Sequence, residues 1–148
     1  MRTIFATLAI VAVVSVSAFE ADVKSTTKLT ICSFGVTDRL TEISDPGVLA
    51  LSNVFAGYFI GEQVATPSSA LARHTISFDI QTREGIKTAA YVVQYWVDES
   101  TGQAFVYLPG RGEASYPRNV STILREGEDG HWHRASAEWS NAIEPYLR

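Results

Sequence analysis

The stretch from His74 to Leu108, HTISFDIQTREGIKTAAYVVQYWVDESTGQAFVYL, constrains this chain more than any other. Ile76, Phe78 and Ile80 share one parity and are apolar. Thr75, Ser77, Asp79 and Gln81 between them are polar, which is the period-two pattern of a strand with one wet face. Arg83-Glu84-Gly85 interrupts the run. From Ile86 to Val97 the chain is rich in β-branched and aromatic residues, and Asp98 to Gly102 supplies turn residues before Ala104-Phe105-Val106-Tyr107-Leu108. A three-strand antiparallel meander is the expected result.

The middle strand of that meander is apolar on both sides, with Ala90, Val92 and Trp96 on one and Ala89, Tyr91, Val93, Tyr95 and Val97 on the other. Such a strand belongs at the centre of a sheet with cover above and below. Pairing Val97 with Gln103 sets Tyr95 opposite Phe105 and Val93 opposite Tyr107, a cross-strand aromatic cluster that a slip of one residue would undo.

On either side of the meander the patterns are shorter. Thr27 to Phe34 reads as a first strand, with Leu29 and Ile31 on one face and Thr30, Cys32 and Phe34 on the other, and Val36 to Ser44 reads as short strand or loop. Ser44-Asp45-Pro46 is a helix start, because a capping side chain precedes a proline whose missing N–H is harmless in the first turn. Val48, Leu51, Phe55 and Tyr58 or Phe59 then recur at helical spacing, with a buried strand over Val54 to Ile60 as the opposing reading. Gly61 to Ser69 reads as loop, and so does Pro109 to Pro117. Asn119 to Arg125 and His131 to Arg134 read as strands joined by Gly127-Glu128-Asp129-Gly130. Ala135 to Glu144 places Ala135, Trp139, Ala142 and Ile143 on one face of a helix that Pro145 ends. The fold expected from these patterns is α+β. It is a single β-rich domain with an antiparallel sheet of five or six strands, one helix before the meander and a short C-terminal helix. An all-β sandwich is the alternative if the Pro46 segment is strand.

Met1 to Ala18 has the form of a secretory signal peptide: Arg2, an apolar stretch from Ile4 to Val14, then Val16-Ser17-Ala18 at the cleavage site. It is shorter than the roughly 20 apolar residues a membrane span needs. Cleavage leaves 19–148 as one secreted domain, with no membrane span expected after it. Arg2 is one of 12 Lys and Arg set against 16 Asp and Glu, so the exported chain is more acidic than the formal −4 of the whole. With no basic run, nucleic acid is not an expected partner. Only Cys32 is present, so no disulfide forms within the chain; the thiol is either free or paired with another chain, and stability has to come from the apolar core.

Three constellations bear on function. Tyr91, Tyr95, Phe105 and Tyr107 form an aromatic stripe that serves either as core or as a face for stacking sugar rings or an apolar ligand. His131 and His133 share a strand face, which suits two ligands of a zinc or iron ion, and His74, the only other histidine, is the third ligand available. With Glu138 the spacing H-x-H-x4-E resembles, over eight residues, the first metal motif of the cupin family, and Arg125 and Pro145 stand where that family has framing glycines. That resemblance implies imidazole ligation of a metal. Asn119-Val120-Ser121 is an N-glycosylation acceptor. Arg83, Glu84, Glu113 and Arg118 are residue types an acid–base hydrolase uses beside a histidine, without a motif to join them. The leading expectation is a secreted, non-catalytic binding protein for a carbohydrate, a small apolar ligand or a partner protein, needing no cofactor. A metal-dependent enzyme centred on His131 and His133 is one alternative, and a secreted effector or toxin acting on a host protein is another.

Overall fold

The computed structural model describes residues 25–53, 60–110, 112–115 and 130–148. The proposed leader, the continuation of the first helix through Phe55, Tyr58 and Phe59, the strand from Asn119 to Arg125, Arg118 and the Asn119 acceptor lie outside the described residues.

Among the described residues seven strands form one open antiparallel sheet: β1 (Ser25–Ser33), β2 (Arg39–Ile43), β3 (Ile60–Val64), β4 (Ala72–Thr82), β5 (Gly85–Val97), β6 (Ala104–Tyr107) and β7 (Trp132–Ala135), in the order β2-β1-β4-β5-β6-β7-β3. The meander is present as β4, β5 and β6. β5 stands fourth of seven, the central place its composition demands. Thr82 pairs with Gly85 around Arg83-Glu84, and Gly85 takes the positive φ of 116° that closes so tight a turn. The sheet has more strands than the five or six expected. One of the additional ones is β3, in a segment whose sequence reads as loop from Gly61 onward. Its residues, IGEQV, show no apolar alternation because β3 is an edge strand held through its backbone to β7. A Cβ on Gly61 would lie 2.8 Å from the Arg134 carbonyl oxygen, so the close approach of the two strands requires glycine there.

Two short helices, α1 (Pro46–Leu51) and α2 (Ala137–Ile143), cover one face of the sheet, and a 3₁₀ turn over Glu144–Tyr146 follows α2. Each helix starts as the capping rules require. Asp45 Oδ1 accepts the Val48 N–H at 3.0 Å, and Ser136 Oγ accepts the Trp139 N–H at 3.3 Å. Ala135, expected in the helix, is instead the last residue of β7. Beneath the helices lie Leu29 and Ile31 of β1, Ile76, Phe78 and Ile80 of β4, Tyr91, Val93 and Tyr95 of β5, and Val106 of β6, all buried. Trp139 is 0% exposed, meets Tyr95 edge-on at 5.3 Å, and donates its indole N–H to Ser52 Oγ at 2.8 Å. Ser52 in turn donates its hydroxyl to the Val48 carbonyl, while its own carbonyl accepts the Thr26 hydroxyl. One buried serine therefore ties α1, α2 and β1 together.

Of the cover expected on both faces of β5, the described residues supply the helix-side part in full and the other side in part. Tyr91, Val93 and Tyr95 are buried, whereas Val92 and Trp96 are half-buried and Gln94 is exposed among the described residues. Its composition is explained by one packed face and one aromatic face. A bulge also interrupts β4 and β5: Phe78 pairs with Tyr91 and Ile80 with Lys87, so Thr88, Ala89 and Ala90 all stand opposite Asp79. Asp79 Oδ1 accepts the Ala89 N–H at 2.8 Å, and Ala89 is forced to φ 46°, a conformation that crowds its Cβ.

Two stability predictions follow from these contacts. Ser52→Ala strips the Trp139 indole of this partner in a buried site and is expected to cost about 1–3 kcal/mol in urea denaturation. Ala89→Gly relieves the left-handed backbone at some cost in chain entropy and is expected to stabilise by about 1 kcal/mol. A lowered melting temperature in the glycine variant would mean that the bulge holds no strain.

Candidate functional site

Among the described residues, the face of the sheet away from the two helices carries a distinctive aromatic surface. Direct pairing builds it in rows: Arg73, Trp96, Phe105 and Arg134 stand side by side across β4 to β7, and Thr75, Gln94, Tyr107 and Trp132 form the next row. Trp132 is 8% exposed and sits between two neighbours, its ring 4.5 Å from Trp96 and 5.3 Å from Tyr107. The Arg73 guanidinium lies 4.7 Å from the centre of the Trp96 ring and donates to the Ser69 carbonyl, which fixes it over the aromatic face. Phe34, beyond the end of β1, donates its N–H to the Arg73 carbonyl and is exposed at the rim. Phe34, Arg73, Trp96 and Tyr107 border a groove of about 580 Å³ whose polar groups include Gln94 and Thr75.

This surface contains only part of the expected stripe. The pairing is Val97 with Ala104, Trp96 with Phe105, Tyr95 with Val106 and Gln94 with Tyr107, one residue from the register anticipated. Tyr91 and Tyr95 therefore belong to the core face and Phe105 and Tyr107 to the open face. Both parities of β5 are apolar, so nothing in that strand selects the register. The usable signal lies in β6 and beyond: Ala104, Val106 and Leu108 share a parity and are all buried, which leaves Phe105 and Tyr107 for the other side. Trp96, which lines the groove, and Trp132, packed against it, are not in the expected stripe.

The three histidines are separated. His74, Tyr95, Val106 and His133 form a single cross-strand row, so His74 and His133 are three strand spacings apart, about 14 Å at ~4.8 Å each. His74 is buried and its Nδ1 is 2.8 Å from Ser33 Oγ; His133 is buried with Nδ1 3.3 Å from the Gly61 carbonyl oxygen. His131 is exposed just before β7, beside Trp132 and Tyr107 on a polar hollow at the sheet margin. Glu138 is exposed in the first turn of α2. Among the described residues no group of three or more His, Cys, Asp or Glu is arranged to hold a metal ion. Of the acid–base set, Glu113 accepts the Tyr107 hydroxyl at 2.7 Å and the Gly110 N–H at 2.8 Å, bracing the loop after β6, while Arg83 and Glu84 form the tip of the β4–β5 turn. Cys32 is a free, half-buried thiol paired across β1 and β2 with the exposed Leu40.

Burial depresses the His74 pKa below its ordinary 6.5; Glu99 opposes the shift and Arg39 adds to it. As pH falls through about 6.5 the unfolded chain takes up this proton before the folded one, so the contribution of His74 to stability is full above that pH and declines toward acid. His74→Gln is expected to shrink the loss of stability between about pH 7 and pH 5, measured by urea denaturation at both values. A loss as large as the parent's would assign the pH dependence to other groups.

Comparisons with protein-family models, with curated proteins and with solved structures each return no match for this chain, so its function has to be argued from the residues themselves.

Proposed function

We propose that this chain is an exported, non-catalytic binding protein and that the open aromatic face of its sheet recognises carbohydrate. The observation that carries the reading is the cluster of Trp96, Trp132 and Tyr107 on the side of the sheet away from the helices, with Arg73 fixed over Trp96. Aromatic side chains of this size are ordinarily placed in a core, where they contribute most. Here Trp96 and Tyr107 line a groove with amide, hydroxyl and guanidinium groups from Gln94, Thr75 and Arg73, and Trp132 packs against both rings from the side. A sugar ring offers C–H groups to an aromatic face and hydroxyls to such polar neighbours, so both sets of groups have a use in one ligand. The acidic character of the chain adds support, since it disfavours polyanionic ligands.

A partner protein is the second reading. Phe34, Val36 and Leu40 are large, apolar and exposed around the β1–β2 turn, at the end of the same face. A metal-dependent activity is not carried forward, because His74 and Glu138 do not join His133 around one point among the described residues.

The test is affinity electrophoresis of the exported chain through gels containing soluble polysaccharides, with a glycan array to identify the sugar. Retardation by at least one polysaccharide is expected, and Trp96→Ala should weaken it about tenfold or more, equivalent to roughly 1.4 kcal/mol. Tyr107→Ala should weaken it by a smaller factor. Folding of the variants is checked by near-ultraviolet circular dichroism. Retention of binding in a folded Trp96→Ala variant would remove the groove from the reading. Absence of any glycan binding would shift the function to the protein-partner reading.

A further inference from the structure

The aromatic groove carries a positive charge that no described residue answers. Lys28, Lys87, Arg134 and Arg148 each reach a carboxylate, on Glu42, Glu84, Glu62 and Glu144 in turn. Arg73 reaches none. Among the described residues its guanidinium donates to the Ser69 carbonyl at 2.8 Å and lies over the Trp96 ring, which leaves its other N–H groups without an acceptor. Those two contacts hold the group at the wall of the groove, so it is exposed but oriented. Arg39 also has no carboxylate among the described residues, but it donates to the Tyr146 carbonyl on the helix-covered side.

The rest of the wall leaves that charge unopposed. No Asp or Glu lines the groove among the described residues, although the chain has 16 acidic residues against 12 Lys and Arg. Glu113, in the loop beside it, is engaged by the Tyr107 hydroxyl and the Gly110 N–H. His74 also lines the groove, but burial lowers its pKa, so the imidazole is uncharged at neutral pH and adds no second cation. A guanidinium stacked on an indole is shielded from water on that face. Its edge stays available to a planar acceptor with two oxygens, the geometry in which arginine binds most specifically.

Charge and shape together select the ligand. We infer, resting on the carbohydrate reading above, that the groove takes a sugar bearing one carboxylate, with its two oxygens on the Arg73 guanidinium and its ring beside Trp96 and Tyr107. One fork satisfies both oxygens of a carboxylate. A sulfate ester brings a further acceptor oxygen, and a phosphate monoester brings nearly a second charge at neutral pH. The described lining offers no second cation to either. A run of closely spaced acidic sugars would make one such contact and set its remaining charges against the net negative charge of the chain. The site therefore suits an isolated acidic residue in an otherwise neutral glycan.

The experiment is a glycan array probed with the full chain, carrying neutral glycans, glycans with one uronic or sialic acid, the methyl esters of those acids, and sulfated glycans. The tightest binding is expected to a carboxylated glycan. Esterification removes the charge and keeps the sugar frame, and should weaken binding about fivefold or more, the scale of a charged hydrogen bond. Arg73→Gln, with its fold checked by near-ultraviolet circular dichroism, should erase the difference between acid and ester without weakening the ester, a pattern that a general loss of the groove would not give. The comparison of acid with ester on the parent chain needs no variant. An ester bound as tightly as its acid, a preference for sulfated glycans, or an unchanged ratio of acid to ester in folded Arg73→Gln would each overturn the inference. Tightest binding to a neutral glycan would overturn it and leave the carbohydrate reading standing, whereas absence of binding to every glycan would overturn both.

Discussion

The buried indole of Trp139 is the contact on which the rest of this architecture depends. A seven-stranded open sheet needs something to cover its apolar face, and the two helices among the described residues are only six and seven residues long. Helices of that length are marginal in isolation, so their stability has to come from packing. Trp139 provides that packing through its edge-on contact with Tyr95. Its hydrogen bond to Ser52 joins the end of α1 to α2. Ser52 then passes the connection to β1 through Thr26. With no disulfide within the chain, this serine and tryptophan perform the joining that a covalent link performs in many small exported domains.

Fixing the covered side in this way decides the character of the other. Once Tyr91, Val93 and Tyr95 face the helices, alternation along β5 turns Val92, Gln94 and Trp96 outward, and pairing brings Phe105, Tyr107 and Trp132 alongside. The aromatic groove is thus a consequence of register. A shift of one residue between β5 and β6 would have buried Phe105 and Tyr107 and placed Val106 in the open.

The legible parts of the fold were those where pattern and chemistry agreed. The alternation in β4, the aspartate and proline that start α1 and the glycine after Arg83-Glu84 each appear where they are expected. The less legible parts were those where the determining contact is remote. Nothing within IGEQV marks β3 as a strand, because its hydrogen-bonding partner is β7. Nothing within β5 fixes its pairing, because both of its sides are apolar. Of the expected aromatic set, Phe105 and Tyr107 reached the open face, whereas Tyr91 and Tyr95 did not; Trp132, lying between two histidines in the sequence, drew no attention as an aromatic. The histidines that looked adjacent in purpose occupy separate surroundings set by strand order.

That strand order also bears on how the chain reaches its folded state. β1 with β2 and β4 with β5 are local hairpins that can form soon after their residues are free to move, but among the described residues β3 pairs only with β7, and Arg134 meets Glu62 across 72 positions of sequence. Closing so large a loop is slow relative to a hairpin. Until it closes, the β3 segment is an unpaired edge exposed to other chains, so the assembly rate of the C-terminal strand governs how long the nascent molecule remains open to association with its own copies.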